Sequence, residues 1–292
     1  VVLFKNAYRF CGLFYGSLFN FVRNKTMFDS KLALSTPTLN TLYTACTRAA
    51  RGLVRDFGEV EHLQVSRKGP GDFVSKADLK SEQIIIDVLQ KATPTYSLLV
   101  EEAGSFVGRE PEYRWIVDPL DGTTNFINAI PHFAISIGLE HKGEIIAGMV
   151  YDPVKDEMFY AEKGRGAFLN EKRLRISAKD NFDDAVIGVT FPRQNDKGEF
   201  DFYKTLQAVE ANTAAVRRMG SSVLDLCYVA AGRYECYWAQ ALSPWDMAAG
   251  SLIVQEAGGV VTDLKGTENF METAHILAGS EKMHRTLLKL IS

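Results

Sequence analysis

The stretch WIVDPLDGTTNF, residues 115–126, drives an apolar run into two carboxylates, Asp118 and Asp121, and then turns at once on Gly122. Pro119 fixes its own φ and holds Asp118 to extended backbone. Asp121-Gly122 is a strong turn pair. Thr123, Thr124 and Asn125 can then begin a helix whose first amides favour a phosphate oxygen. A strand-to-helix junction of this kind can bring two acids and a backbone carbonyl onto one point. The competing reading is a plain Asx turn with a capping aspartate.

Working upstream, YSLLV (96–100) reads as a buried strand that ends at Glu101 and Glu102, and RWIVD (114–118) as the strand entering the junction. Before them, apolar residues recur at helical spacing over 39–57, and Gly58 ends that run. A loop, KGPGD (68–72), leads to a helix over 78–92, capped by Ser75 three residues before Asp78 and stopped by Pro94. Downstream, FAISIGLE, EIIAGMVYD and DEMFYAE alternate and are joined by short turns, as antiparallel hairpins are. AVIGVTF (185–191) is expected as a strand and 200–215 as a helix. SSVLDLCYVAAG is expected as a helix closed by Gly232, and YECYWA as a strand. PWDMAAGSLIVQEAGG is expected as a helix with Pro244 before its start. VVTD and HILAGS read as late strands, and EKMHRTLLKL as a closing helix. These elements give alternating α and β layers, α/β or α+β in class. Neither a G-x-G-x-x-G after a first strand nor a P-loop is present.

The 292 residues are 46% apolar and 24% charged with net charge −3, which leaves no general footprint for nucleic acid. Cys11, Cys46, Cys227 and Cys236 lack the spacing of a zinc or redox motif and are expected as buried thiols of a reducing compartment. Residues 1–26 carry Lys5, Arg9, Arg23 and Lys25, no acid, and an apolar aromatic run too short and broken for a membrane span. No good cleavage site follows it. We expect a dispensable extension there, with Met27 as the start, a cytoplasmic protein and no stable membrane partner.

Further acids end other elements. Asp246 follows Pro244 and Trp245 at a helix start, and Asp78 opens the helix after Ser75. Taken alone, each reads as a helix-capping acid. Together with Glu101, Asp118 and Asp121, they place carboxylates at several element ends, which would raise one another's pKa without a cation between them. An all-oxygen set suits a hard divalent ion, Mg²⁺ first and Mn²⁺ as a substitute. No histidine pair competes, and His132 reads as structural. Such a cluster points to phosphate-ester hydrolysis by metal-activated water, with Glu101 and Thr123 as the pair handling the proton.

With these residues in view, the chain resembles the inositol monophosphatase family, closely its bacterial members. The likeness rests on LVEEAG (99–104), WIVDPLDGTTNF, PHFAISIGL and SPWDMAAGSLIVQEAGG, and runs from about residue 39 to the C-terminus. It implies a layered αβαβα sandwich of the sugar-phosphatase type. One domain would span 27–292, with an N-terminal part over about 39–180 and a C-terminal part over 181–292. It implies two or three Mg²⁺ ions: Glu101, Asp118 and the Leu120 carbonyl at the first, and Asp118, Asp121 and Asp246 at the second. Asp78 would sit by a third, weaker position. Thr123 with Glu101 would orient the attacking water. The amides of Gly122 and Thr123 would cradle the phosphate, Lys68 would sit on a loop near the metals, and Gly220, Ser221 and Ser222 would line the polyol side, with Asp246.

The implied activity is hydrolysis of inositol 1-phosphate or another small phosphomonoester, with fructose bisphosphate, histidinol phosphate and a nucleotide 3′-phosphate as rivals. A homodimer and contact with the transcription or ribosome-assembly machinery are implied as well. One position departs from the family pattern. Ala239 stands where inositol-binding relatives carry a glutamate, and a lost hydrogen bond to a buried hydroxyl costs about 1–3 kcal/mol. Strict inositol specificity is therefore not expected unless Gln240 or Glu235 compensates. Lys172-Arg173 and Arg217-Arg218 are expected as solvated basic surface.

Overall fold

Among the described residues, Thr36 opens the first helix, α1 (Pro37–Phe57): its hydroxyl accepts from the Leu39 amide at 3.2 Å, and Pro37 occupies the first turn, where no amide hydrogen is needed. Leu39, Leu42, Ala45, Cys46, Ala49 and Leu53 form its buried stripe. The computed structural model describes residues 36–59, 65–69, 72–192 and 201–291, without the side chains of 65–69 and 72–74. The expected extension over 1–26 lies outside the described residues.

Of the loop expected at 68–72, residues 70 and 71 lie outside the described residues; the flanking β1 (Val65–Gly69) and β2 (Asp72–Ser75) pair antiparallel. Ser75 then caps α2 (Lys76–Ala92) in a capping box with Asp78, as its spacing predicts. Next come β3 (Tyr96–Val100), β4 (Gly104–Phe106), β5 (Glu110–Asp121) and the one-turn helix α3 (Thr123–Ile127). The hairpin strands β6 (Ala134–His141), β7 (Glu144–Asp152) and β8 (Glu157–Glu162) are antiparallel, as read from their alternation, and β9 (Ala167–Leu169) and β10 (Lys172–Arg173) extend them. All eight, from β3 to β10, form one sheet in the order β10-β9-β8-β7-β6-β5-β3-β4, with β3 and β5 its parallel pair.

The second sheet has five strands. β11 (Val186–Thr190) is followed by α4 (Phe202–Ala211), β12 (Ala215–Arg217), α5 (Ser222–Ala230), β13 (Cys236–Ala239) and α6 (Pro244–Glu256). The chain closes through β14 (Val260–Thr262), α7 (Phe270–Thr273), β15 (Ile276–Gly279) and α8 (Glu281–Ile291). The strand order is β12-β11-β13-β15-β14. Here the structure corrects the helix expected over 200–215. It ends at Ala211, and Ala215–Arg217 leaves helical backbone to pair in parallel with β11. A tertiary ladder outweighs the high intrinsic helix propensity of Ala214 and Ala215, which is a weak force per residue. Pro244 also lies within the first turn of α6 rather than before it.

The layers run α1 and α2, the eight-stranded sheet, α5 and α6, the five-stranded sheet, then α4 and α8, so the αβαβα sandwich is present. Helix α6 lies between two sheets and is buried all round from Met247 to Val254, with no polar face. Its close seat needs a small strand residue: a Cβ on Gly148 of β7 would come 2.9 Å from the Ala249 Cα. Outside the second sheet, Ile187, Val189, Phe202, Trp238, Leu277 and Leu287 form the outer core. Cys46, Cys227 and Cys236 are free and buried, as expected, and Cys11 lies outside the described residues. Among the described residues, no helix is long and apolar enough to cross a membrane.

Candidate metal centre

A regular strand has a side-chain period of two, so Asp118 and Asp121, three residues apart, should face opposite sides of the sheet. The register between β5 and β6 removes that conflict. Asp118 pairs with Ser136 and Asp121 with Ala134, so β5 spends one residue more than its partner across the Pro119-Leu120 step. The bulge forms where Pro119 has no amide hydrogen to give the ladder, and one extra residue restores parity between the two acids. The freed groups are all used. Leu120 N–H donates to Asp118 Oδ1 at 2.9 Å, and Ser81 Oγ of α2 donates to the Pro119 carbonyl at 2.8 Å.

Asp246 joins them from α6. Asp118, Asp121 and Asp246 each offer a carboxylate oxygen, and these oxygens all lie within 4.8 Å of one another. Burial pushes the Asp118 carboxyl well above its usual range, and the charges of Glu101, Asp121 and Asp246 push it further. Burial also raises Asp121, to about 6, against the hydrogen bonds it accepts. Glu101, just past the end of β3, is thus close enough for its charge to act on Asp118. The donors are all hard oxygens and they repel one another. Both features fit an oxygen-seeking divalent cation.

Helix starts hold these acids in place. Asp246 Oδ2 accepts from the Ser243 amide at 2.8 Å in the capping box of α6. Asp121 Oδ2 accepts from the Val223 amide at 3.1 Å and from the Ser221 hydroxyl at the start of α5. Asp78 Oδ2 accepts from the Ser75 amide at 2.9 Å and from the Ser75 hydroxyl at the start of α2. The positive end of a helix macrodipole thus partly offsets each acid. Asp78 and Asp246 both cap helices, and Asp246 at the same time belongs to the carboxylate cluster, so capping and clustering are not exclusive.

Thr123 links the parts. Its Oγ1 lies 3.0 Å from Asp78 Oδ1 and 3.0 Å from the Leu120 carbonyl, and its single hydrogen can serve either. Burial raises the Asp78 carboxyl against its bonds from Ser75 and Thr123. Gly122 stands at φ +90, and a Cβ there would meet the His132 carbonyl at 3.1 Å and the Gly220 carbonyl at 3.2 Å. Gly122→Ala should therefore lower stability by about 1–3 kcal/mol through strain and crowding, read as a lower denaturant midpoint. An unchanged midpoint would mean that the turn relaxes without cost.

The residues expected at the site divide as follows. Asp118, Asp121 and Asp246 cluster, the charge of Glu101 acts on Asp118, and Thr123 joins Asp78 to the Leu120 carbonyl. Gly220 and Ser221 border them, whereas the Ser222 hydroxyl is engaged by Thr190 at 3.2 Å. The Lys68 side chain lies outside the described residues. Ala239 is fully buried on the inner face of β13. Glu235 cannot compensate for it, because its carboxylate is taken by Ser177, Lys179 and the Val186 amide. His132 is buried, its pKa lowered to about 4 chiefly by burial, in keeping with a structural role.

Sequence reasoning missed three residues. Ser81 holds the bulge. Asn125 Nδ2 lies 2.7 Å from the His132 carbonyl and 2.8 Å from that of Met219, clamping α3 to the segment before Gly220. Asp225 is buried on α5, where burial and then the Asp121 charge raise its pKa well above the usual range. Its one signal was an acid on an otherwise apolar helix.

The sequence profile of the Inositol monophosphatase family matches residues 35–292. An inositol-1-monophosphatase of Mesorhizobium japonicum is 49% identical over 253 residues, covering 87% of this chain and 95% of that protein. A Pseudomonas aeruginosa protein named Nus factor SuhB is 43% identical over 259 residues, covering 87% and 96%. Among solved structures, the extragenic suppressor protein suhB of Bartonella henselae superposes with a TM-score of 0.85 at 46% identity, covering 88% of this chain and 99% of that one.

Proposed function

The chain belongs to the inositol monophosphatase family, and from that premise we propose that it hydrolyses a small phosphomonoester, inositol 1-phosphate first, with Mg²⁺ held by the clustered carboxylates. The observation that carries the reading is the meeting of Asp118, Asp121 and Asp246 within 4.8 Å, at a cost that burial and mutual charge make plain. When bound, Mg²⁺ polarises phosphoryl oxygens and lowers the pKa of water.

The chain supplies the rest. Glu101, Asp118 and the Leu120 carbonyl would hold one ion, and Asp118, Asp121 and Asp246 a second. Asp78 would serve a third, weaker position, and Mn²⁺ would be a substitute. Glu101 and Thr123, with Asp78 behind Thr123, orient the attacking water and draw off its proton. The amides of Gly122 and Thr123 would hold the phosphate, and Gly220 and Ser221, with Asp246, would face the alcohol, Ser222 contributing through its backbone because its hydroxyl is engaged by Thr190. Lys68 stands on the neighbouring hairpin. The phosphorus–ester bond breaks as the water oxygen bonds to phosphorus, and the leaving alkoxide takes up a proton from solvent water, so that ester and one water become alcohol and inorganic phosphate.

Ala239 brings no acceptor to the ring hydroxyls, so selectivity should be loose. A panel of inositol 1-phosphate, glycerol phosphate, fructose bisphosphate, histidinol phosphate and a nucleotide 3′-phosphate, with and without Mg²⁺, tests this. Mg²⁺-dependent turnover of several esters is expected. Ala239→Glu should raise the kcat/KM ratio of inositol over glycerol phosphate by about tenfold. No Mg²⁺-dependent turnover of any ester would remove the hydrolytic reading, and an unchanged ratio would remove the selectivity argument.

The Nus factor name of the Pseudomonas relative supports a second role, contact with the transcription machinery through a surface away from the carboxylates. A cytoplasmic homodimer, with residues 27–292 as one domain divided near 180, completes the proposal.

A further inference from the structure

We propose that the cleft between α1 and α2 is a second anion site, built for a small molecule carrying two or more phosphate groups and separate from the carboxylate cluster. The cleft holds about 450 Å³, within the range of small-molecule sites, and its charged lining is Arg48, Arg51, Arg55, Lys80 and Asp56. Four cations thus face one carboxylate in a chain of net charge −3. The lone acid is already engaged. Asp56 is buried and paired with Arg55 at 2.8 Å and with Lys80 at 3.3 Å. Among the described residues, neither Arg48 nor Arg51 makes an ion pair.

The helix carries this charge without the usual compensation. Exposed arginines on a helix commonly find an acid three or four residues away. Here the residues four before Arg48 and Arg51 are Thr44 and Thr47, and the residue four before Arg55 is Arg51 itself. A like-charge pair at that spacing costs helix stability. The steps of three and four put the arginines on one face of α1, spread over about 10 Å at 1.5 Å per residue. Four cations less one acid leave the lining a net charge of +3, more than the −1.5 to −2 that one phosphate group carries at about neutral pH, whereas two or three linked phosphates match it. Guanidinium groups are forked donors suited to phosphate oxygens.

The size of the cleft favours a small molecule over a polymer, since the basic surface does not continue along α2. One turn beyond Gln83 stands Asp87, bonded to the Gln83 amide at 2.8 Å. The lining contains none of the clustered carboxylates, so the anion needs no metal there. The cleft nevertheless backs onto the catalytic loop, because Ser81, in its wall, holds the Pro119 carbonyl.

Isothermal titration of the full chain, at fixed free Mg²⁺, with methylenediphosphonate, an analogue of pyrophosphate that resists hydrolysis, tests the site. Saturable binding below millimolar is expected. It should weaken by at least about tenfold in the Arg48→Glu, Arg51→Glu double variant and persist in Asp121→Asn. The arginine variant should keep its phosphomonoesterase turnover, which shows that it folds. The Arg48→Gln, Arg51→Gln pair repeats the measurement if charge reversal unfolds α1. Absence of saturable binding to the unaltered chain overturns the proposal. So does binding that survives loss of the arginines, or binding that disappears with Asp121, which would place the anion at the carboxylates.

Discussion

Asp121→Asn should lower Mg²⁺-dependent kcat by about three powers of ten while leaving the fold in place. The charge it removes faces two other carboxylates within 4.8 Å, and holding a cation against a phosphoryl group is worth several kcal/mol of barrier, each 1.36 kcal/mol being tenfold in rate. The fold should survive because the amide oxygen of asparagine can still accept from the Val223 amide and the Ser221 hydroxyl at the start of α5.

Stability should move the other way. With a folded pKa of about 6 against the usual 3.8, the metal-free folded state binds more protons than the unfolded chain across that window. Metal-free stability contributed by this group therefore falls as pH rises through it. Asparagine has no proton to lose, so the metal-free variant should melt higher than the unaltered chain at pH 7 and gain less from added Mg²⁺. Turnover within tenfold of the unaltered protein would take Asp121 out of the mechanism. A pull-down of transcription proteins that survives in this inactive variant would separate the second role from hydrolysis, and its loss would tie the two to one site.

What could be read in the chain, and what could not, follows from the range of the forces. Pro119 and Gly122 act on their own backbone, so the strand, turn and helix around them were legible in a dozen residues. Ser75 and Asp78 cap across three positions, and that helix start was legible too. The parity of Asp118 and Asp121 was not, because the bulge is a property of β5 against β6, and no residue of β6 announces which register it will take. Ala215–Arg217 failed for a similar reason: its strand exists only because Val186–Gly188 offers a free edge. Asn125 and Ser81 act on carbonyls 94 and 38 residues away. The basic cleft is more instructive still. Arg48, Arg51 and Arg55 show their helical spacing in the sequence, but Lys80 and the shared Asp56 join them only when α1 and α2 pack.

Thr123→Val is the sharper test of how the water is handled, because valine keeps the shape of threonine and deletes one hydroxyl. That hydroxyl sits 3.0 Å from both Asp78 Oδ1 and the Leu120 carbonyl. Donating to Asp78, it keeps lone pairs free to accept from a water, and Asp78, held by Ser75, is a fixed acceptor for the proton relayed through it. Loss of a positioned proton relay costs about 10²–10⁴-fold in rate, and kcat should fall by that amount. KM should change little, since the amides of Gly122 and Thr123 remain to meet the phosphate. The fold should lose only about 0.5–1.5 kcal/mol, one hydrogen bond's net worth, because Asp78 retains both bonds from Ser75. If the two groups form one relay, Asp78→Asn should cost nearly as much alone, and the double variant little more than either single one. Additive losses would mean that Asp78 and Thr123 act on different steps. A Thr123→Val enzyme within threefold of the unaltered kcat would leave Glu101 to handle the proton unaided.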